Sequence, residues 1–571
     1  MDDDSKAADY RHTVFLPKTD FPMKAGLSNT EPRLLERWAA EGAHAALREE
    51  RQGAPRYILH DGPPYANGDM HLGHAMNHIL KDFVVRTRTM LGMDAPYIPG
   101  WDCHGLPIEW RVEEENRKKG IAKGAIDPIR FRQQCRDYAA HWVDVQRSQL
   151  KRLGVWGDWD HPYLTMDFSS EATIAAELLK FAESGQLYQG AKPVMWSPVE
   201  QTALAEAEVE YEDVTSTQID VAFEIVEAPN APELIGVYAV IWTTTPWTLP
   251  LNRGLAYGEE VEYVSFRVVV AVAGWGTDIN FPHGSVKEVQ AKRFIVAANL
   301  LPEFLKRYAS QLARSWYGAE DAKVALSAAL TEKYSGALLA DAIARHPLHR
   351  LGGFFAEPRP LLAGDFVTTD SGTGLVHMAP DHGEDDFFLC KKNGLEPLFV
   401  VGGDGVYRAD WPIVGGQHVY KVNAPDGPVC NALRDAGALL AASADYRHSY
   451  PHSWRSKAKL IYRCTPQWFV AMDRELTDGT TLRGRALKAI GDTRWFPSQG
   501  ENRIRAMVEG RPDWVLSRQR AWGVPITLFV KKGSGEYLRD AEVNRRIIDA
   551  IRADGADIWW TKDPQELLGS A

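Results

Sequence analysis

The feature that most constrains this chain is a short apolar segment that runs into a glycine- and proline-rich loop and then opens a helix. Tyr57-Ile58-Leu59 reads as a buried strand. The loop Asp61-Gly62-Pro63-Pro64-Tyr65-Ala66-Asn67-Gly68 follows it. A helix starts near His71, with Leu72, Met76, Ile79 and Phe83 at helical spacing. A second strand at Tyr97-Ile98 runs into the loop Gly100-Trp101-Asp102-Cys103-His104-Gly105. Strand, loop, helix and strand in this order specify a doubly wound α/β sheet.

The loop-to-helix junction also carries chemistry. Two glycines and two prolines fix a tight backbone path, and the helix N-terminus beyond offers free N–H groups and a partial positive charge. That combination suits phosphates. His71 and His74 sit three apart at its mouth, with His78 a turn further on. Imidazoles there can donate hydrogen bonds to phosphoryl oxygens as charge builds on them in a displacement. The same spacing also fits a metal stripe or plain surface histidines, so the residues alone leave the choice open. No Gly-x-x-x-x-Gly-Lys loop occurs at this place, which excludes a P-loop kinase there.

The rest of the chain sorts by texture. An extended arm is followed by a short helix over residues 31–46. A long helix is expected over residues 129–153, with Phe131, Cys135, Tyr138, Trp142 and Val145 as its core stripe. Another covers residues 170–184 and closes at Gly185. After Lys192 the pattern becomes β-rich, with strands expected over residues 216–225, 237–243, 263–273 and 366–378. Residues 191–440 thus read as a mostly-β module inserted between an α/β portion at 1–190 and its return at 441–571, the α/β texture resuming near Tyr446. A chain of 571 residues has room for such a division at about 150 residues per domain.

Composition narrows the class. The hydrophobic share of 45% and charged share of 25% exclude wholesale disorder. Apolar runs such as Val268-Val269-Val270-Ala271-Val272-Ala273 fall far short of the ~20 residues that span a bilayer. The opening Met1-Asp2-Asp3-Asp4 is acidic where a targeting peptide would be basic, so the cytoplasm is the expected address and no membrane partner is expected. The five cysteines, Cys103, Cys135, Cys390, Cys430 and Cys464, form neither a disulfide framework nor a Cys-x-x-Cys motif. The net charge of −11 argues against indiscriminate polyanion binding, although Arg503, Arg505, Arg511, Arg518 and Arg520 could form a local basic stripe. Taken alone, they read as a solvated helix face.

Pro63-Pro64-Tyr65-Ala66-Asn67-Gly68-Asp69-Met70-His71-Leu72-Gly73-His74 resembles the His-x-Gly-His signature of class I aminoacyl-tRNA synthetases. Gly100-Trp101-Asp102-Cys103-His104-Gly105-Leu106-Pro107 is similar to the isoleucyl branch in particular. The resemblance implies that His71 and His74, with Gly73 between them, stabilise ATP phosphates while an amino-acid carboxylate attacks the α-phosphorus. Pro63 would line the side-chain pocket and Asp102 would hold the substrate ammonium. Ser517-Arg518-Gln519-Arg520-Ala521-Trp522-Gly523 also looks like this family, and there Trp522 would form a further wall of the isoleucine pocket.

Two segments of the insert carry a second resemblance. Trp242-Thr243-Thr244-Thr245-Pro246-Trp247 reaches Asn252, and Gly372-Thr373-Gly374-Leu375-Val376-His377 reaches Asp386. On their own, threonines favour strands, and His377, His382 and Asp386 could equally be metal ligands. Both segments resemble the editing domain of isoleucyl-tRNA synthetases, which hydrolyses misacylated tRNA. Thr243, Thr244, Thr245, Asn252 and His377 would then shape the pocket, and Asp386 would anchor the amino group of the misattached residue. The valyl and leucyl relatives fit less well, since they usually carry Thr-Thr-Arg-Pro where this chain has Thr-Thr-Thr-Pro. The need for a second site is physical. One missing methylene is worth only about 1–3 kcal/mol, a limit for which this enzyme class is the standard example.

What the resemblance implies as a whole is an α/β, class I synthetase Rossmann-like catalytic domain, incomplete, with a large mostly-β inserted editing domain. Its substrates and partners would be ATP with Mg2+, isoleucine and the tRNA specific for isoleucine, and it would act as a monomer. Two departures qualify the likeness. Where many relatives bind zinc through paired cysteines, this chain reads Trp196-Ser197-Pro198-Val199-Glu200 and Pro451-His452-Ser453-Trp454, so no structural zinc or other metal site is expected. No Lys-Met-Ser-Lys-Ser loop appears, and the anticodon-binding domain is not recognisable. The expectation is therefore an amino-terminal portion of a synthetase. The alternative from a different class is a free-standing trans-editing deacylase or tRNA-binding fragment without ligase activity.

Overall fold

A computed structural model gives the fold and describes residues 10–15, 18–20, 24–121, 125–272, 286–317, 324–532 and 535–570. The acidic opening and the end of the strand expected at Ala273 lie outside the described residues. The chain divides into two compact units. The first comprises residues 1–179, 520–528 and 539–571, the second residues 180–519 and 529–538.

In the first unit, α1 (Leu27–Ala40) and α2 (Ala43–Glu50) replace the single helix expected over residues 31–46. Gly42 between them takes φ 62°, the left-handed conformation that ends a helix. Next come α3 (Leu72–Met90), β1 (Gly100–Trp101), α4 (Leu106–Lys118), α5 (Pro128–Arg152) and β2 (Tyr163–Leu164). Three extended segments pair in parallel. Arg56 bridges Asp94, Tyr65 bridges Asp102, and β1 pairs with β2. α3 makes the first crossover and α4 with α5 the second, as parallel pairing demands.

The expected strands at Tyr57-Ile58-Leu59 and Tyr97-Ile98 are extended but form no continuous ladder. Prolines at 55, 63, 64, 96 and 99 have no N–H to donate. Isolated bonds carry the pairing instead, from Tyr57 N to Asp94 O at 2.8 Å, Asp102 N to Pro64 O at 2.9 Å and Tyr163 N to Pro99 O at 2.9 Å.

The helix faces differ from expectation in an informative way. The apolar positions chosen on α3 are largely exposed, Leu72 at 86%, Met76 at 62% and Phe83 at 60%. Its buried face is His78, Asp82 and Val85. Asp82 accepts from Trp156 N at 3.0 Å and from Arg86 Nε at 2.5 Å, while Lys81 pairs with Asp61. Polar partners thus turn the helix, because an unpaired buried donor or acceptor costs about 1–3 kcal/mol. On α5 the buried stripe is Arg132, Cys135, Ala139, Val143, Gln146 and Leu150. Phe131, Tyr138 and Trp142 flank it half-buried. α6 (Phe168–Glu183) follows, and the chain turns at Gly185, φ 77°.

The second unit is mostly β. Its strands and helices include β3 (Leu187–Ser197), β4 (Thr202–Ala203), β5 (Val209–Glu227), β6 (Val237–Thr243), β7 (Gly254–Tyr257), β8 (Glu262–Val272), β9 (Val286–Ala297), α7 (Leu301–Tyr317), β10 (Val324–Ser335), β11 (Ile343–Arg345), β12 (Pro358–Ala363), β13 (Leu375–Met378), α8 (Glu384–Lys392), β14 (Leu439–Ser453) and β15 (Ile461–Val470). Among the described residues, ten strands form one sheet in the order β10-β8-β9-β6-β5-β11-β12-β7-β13, with β14 also on β5. Phe223, Ile241, Leu255 and Ile295 lie in its main core. Phe266 and Phe294 of the sheet meet Phe304 and Tyr308 of α7 in a second core.

Two expectations shift here. The strand expected over residues 366–378 contracts to β13, because Gly372 and Gly374 turn the chain at φ 82° and 75°. A Cβ on Gly374 would stand 2.4 Å from Ala297 Cβ, so only glycine fits that crossing. The residues after Tyr446 do not return directly to α/β texture. β14 runs antiparallel to β5 and β15 antiparallel to β3. The period-two row of Tyr446, His448, Tyr450 and His452, tilted and edge-on with successive centroids 5.4, 5.6 and 6.1 Å apart, fits an extended strand rather than a helix. No described helix is long and apolar enough to cross a membrane.

Candidate functional site

The histidine pair of the first unit is a capping device. His71 is the N-cap of α3, and its Nδ1 accepts from Gly73 N at 3.1 Å and His74 N at 3.3 Å. His74 Nδ1 accepts from His71 N at 3.3 Å in return. This is a reciprocal capping box with imidazoles in place of the usual hydroxyl and carboxylate. The rings stack with centroids 3.7 Å apart, and a Cβ on Gly73 would lie 3.0 Å from the His71 ring. Two of the helix N–H groups expected to be free are thus already taken. In a neutral imidazole whose Nδ1 accepts, Nε2 carries the proton. The pair therefore presents two Nε2–H donors, and burial, with His71 adjacent, lowers the His74 pKa and keeps that ring neutral.

Asp102 lies on the neighbouring extended segment. Its backbone exchanges bonds with the loop, Asp102 N to Pro64 O and Ala66 N to Asp102 O, both at 2.9 Å. Its carboxylate accepts from His104 N at 3.3 Å. Burial raises its pKa against that bond, the nearby His104 ring and a bond from Thr165. Pro63 stands beside this segment, 3.4 Å from where a Cβ on Gly100 would lie. Trp522 is fully buried behind the same loop. Its Nε1 donates to Cys103 O at 2.5 Å, its carbonyl accepts from Gly105 N at 3.2 Å, and its ring meets His104 edge-on at 4.8 Å. The fold thus brings Asp102 and Trp522 together with the Pro63-Pro64 segment.

Residues passed over in the sequence hold this arrangement. Residues 65–70 have no regular structure, yet α5 fastens them side chain by side chain. Tyr138 OH donates to Asn67 Oδ1 at 2.8 Å. Gln146 Nε2 donates to Tyr65 O at 3.0 Å and Gly68 O at 2.8 Å, while its Oε1 accepts from Trp101 Nε1 at 2.9 Å. Gln149 donates to Asp69 Oδ1 at 2.7 Å and accepts from Met70 N at 2.9 Å. At the other end of α5, Arg132 donates to Ala521 O at 2.6 Å and Gly523 O at 3.0 Å on either side of Trp522. The available signal was a glutamine and an arginine at core spacing on a long helix.

The second unit gathers the other set. β6 ends at Thr243, whose Oγ1 accepts from Thr245 N at 3.0 Å. Thr244 and Thr245 are half-buried, and Thr245 opens the 3-10 turn Pro246–Leu251. Thr248 Oγ1 donates to Thr245 O at 2.8 Å and stands 2.8 Å from His377 Nε2. Its one proton is committed to the carbonyl, so His377 donates from Nε2 and keeps a lone pair on Nδ1. β13 pairs with β7, His377 opposite Leu255, and Arg253 N donates to Met378 O, which sets Asn252 alongside. Asn252 Nδ2 donates to Gly254 O at 2.8 Å. His382 Nδ1 donates to Tyr462 O at 2.7 Å, leaving its Nε2 as an acceptor.

Three acceptors, Asn252 Oδ1, His377 Nδ1 and His382 Nε2, are buried without a donor among the described residues. Such an interior is suited to a ligand that brings N–H or O–H groups. Asp386, in the first turn of α8, accepts from Ala379 N at 2.7 Å, and burial pushes its carboxyl up to about 7. Burial, with His382 nearby, pushes His377 down to about 4. Among the described residues no group of three His, Cys, Asp or Glu side chains could hold a metal ion, so His377, His382 and Asp386 do not come together as ligands.

The family model for tRNA synthetases class I (I, L, M and V) matches residues 33–571. The chain belongs to the class I tRNA synthetases. Its fold, an α/β unit with a β-rich one, is that of these synthetases. It is 56% identical to the isoleucine–tRNA ligase of Zymomonas mobilis over 99% of this chain and 57% of that protein. It is 49% identical to the ligase of the same name from Gluconobacter oxydans, over 98% of this chain and 56% of the relative. For Caulobacter vibrioides the values are 47%, 100% and 58%. The chain thus spans somewhat over half the length of the curated relatives it matches.

In this synthetase chain the two segments that lack the paired cysteines form facing tight turns. Gln201 and Lys457 take φ 56° and 57°, closed by Gln201 N to Ser197 O at 2.7 Å and Lys457 N to Ser453 O at 2.9 Å. Ser453 Oγ donates to Glu200 Oε1 at 2.8 Å and ties one turn to the other. Of the five arginines, Arg505 pairs with Glu501 at 3.0 Å and Arg518 donates to the Val515 and Leu516 carbonyls.

Proposed function

We propose that this chain activates isoleucine with ATP, forms isoleucyl-adenylate, passes the isoleucyl group to its tRNA and hydrolyses valyl-tRNA made in error. The observation that carries this reading is the pair of Nε2–H donors at the start of α3, joined by one fastened loop to the half-buried carboxylate of Asp102 beside His104. In the first step an isoleucine carboxylate oxygen attacks the α-phosphorus of ATP and pyrophosphate leaves, with Mg2+ arriving as the counterion of the nucleotide. His71 and His74 donate to phosphate oxygens as their charge grows. Gly73 leaves room for the imidazole that caps the helix. Asp102 receives the isoleucine ammonium by a charge-assisted hydrogen bond. Pro63 and Trp522 bound the side-chain pocket.

The hydrolytic step belongs to the module at residues 191–440. Thr243, Thr244 and Thr245, with Asn252 and His377, would receive the hydroxyls of the terminal ribose and the attacking water. Asp386 would take the ammonium of the misattached valine, a partner that draws its carboxyl back toward the ionised form. The Ser453–Glu200 hydrogen bond would tie the two turns without zinc. We read the protein as a cytoplasmic monomer. The deacylase-only alternative is not favoured, since the family match takes in the histidine pair and Trp522 as well as the insert.

The test is isoleucine-dependent exchange of pyrophosphate into ATP, run beside hydrolysis of valyl-tRNA specific for isoleucine. Exchange with isoleucine and hydrolysis of the valyl ester support the reading. Hydrolysis without exchange would transfer the conclusion to the deacylase alternative, and neither activity would overturn it for this chain.

A further inference from the structure

We propose that Gln146 is the positioning residue that sets the spacing between the carboxylate of Asp102 and the His71–His74 donor pair, an assignment that rests on the adenylate-forming reading above. Its side chain is 1% exposed and sits on the core stripe of α5, where an apolar residue would pack without needing partners. It makes three hydrogen bonds, and they run to both halves of the site. The bond from Trp101 Nε1 reaches the residue before Asp102, and the two donated bonds hold Tyr65 O and Gly68 O in the loop that ends at His71. Backbone pairing with the Asp102 segment ends at Tyr65 and Ala66, and the stretch from Asn67 to Met70 has no ladder or helix of its own. Tyr138 and Gln149 hold its side chains and its end, and Gln146 is bonded both to the loop beyond the backbone pairing and to the strand that carries Asp102.

An adenylate joins ammonium and phosphate covalently, so it feels the distance between the two subsites. Isoleucine and ATP taken singly each follow their own subsite and do not feel it. Misplacement by 1 Å can cost on the order of 100-fold when two ends must fit together.

The experiment uses the 571-residue chain and three probes measured by calorimetry: isoleucine, ATP, and the non-hydrolysable sulfamoyl analogue of isoleucyl-adenylate. Gln146→Leu removes all three bonds. It is expected to weaken the analogue by about 10- to 100-fold and to change isoleucine and ATP by less than about 3-fold. Gln146→Glu keeps the acceptor for Trp101 but has no donor for the loop, and it is expected to follow the leucine variant. Gln149→Ala loosens one end of the loop and should give a smaller loss of the same kind, which keeps the test available if the buried variants do not fold. Equal weakening of all three probes would reduce Gln146 to a structural residue. An unchanged analogue, or a glutamate variant that binds like the parent, would overturn the proposal. A parent chain that binds none of the probes would instead refute the adenylate-forming reading.

Discussion

Titratable groups of the second unit make its stability depend on pH in opposing directions, and Asp386→Asn isolates one of them. His377 and His346 are held neutral by burial, with pKa values pushed down to about 4 and about 3. In the unfolded chain each returns to about 6.5. Their contribution is therefore complete above pH 6.5 and is lost as pH falls toward the folded values. Between pH 7 and 5 each costs about 2 kcal/mol, or about 4 together. Asp386 acts the other way, because its folded pKa of about 7 lies above its unfolded value. The unfolded carboxyl ionises near 4 while the folded one keeps its proton, so acidification from pH 7 to 5 returns about 2 kcal/mol. Asp386→Asn, which cannot titrate, should therefore lose about 2 kcal/mol more than the parent over that interval. Urea unfolding at pH 7, 6 and 5, read by pulsed hydrogen exchange on peptides from β5 and β6, reports this unit by itself. Identical pH slopes for the parent and the variant would refute the reasoning.

Other outcomes follow from the same structure. Asp102→Asn should weaken isoleucine binding by about 1.5–3 kcal/mol, the worth of a hydrogen bond to a charged group, and leave ATP binding unchanged by calorimetry. Asp220 makes a bidentate pair with Arg307 at 2.7 Å, and burial raises its pKa even so. Asp220→Ala should cost about 3 kcal/mol in urea, and replacing both partners by apolar residues should recover most of that loss. Gly73→Ala should push the His71 ring off its cap and cost about 1 kcal/mol in thermal unfolding, with a change in the His71 Nδ1 nitrogen shift.

How far the sequence could be read differed between the two units for physical reasons. β6 fell where expected because Val237–Thr243 is β-branched and bounded by turn residues. α5 did so because its caps and length are local properties, and Asp127 accepts from both Ile129 N and Arg130 N. The parallel pairing of the first unit was legible as an order of elements but not as strands, since prolines interrupt the donors that a ladder needs. The buried face of α3 was not legible. Periodicity finds apolar positions, while what turned the helix was a set of polar partners at Trp156, Arg86 and Asp61, remote in sequence or invisible to a hydrophobic pattern.

The same distinction applies to the candidate sites. Side chains to which the proposal gives a chemical role stood out by type, and His71, His74, Asp102, His377 and Asp386 all belong to motifs. Side chains whose role is to hold the chemical ones were hidden by their burial. Gln146 and Arg132 occupy core positions, one turning its amide to the loop before His71 and the other its guanidinium to the backbone around Trp522. Thr248 fixes the tautomer of His377 from within a turn that reads as a run of prolines and threonines. A polar residue on a core stripe has to find partners inside the fold, because leaving it unpaired costs more than an apolar replacement would. Its presence there marks backbone that lacks regular hydrogen bonding, and in this chain that backbone is the loop between Asp102's neighbour Tyr65 and the histidine cap.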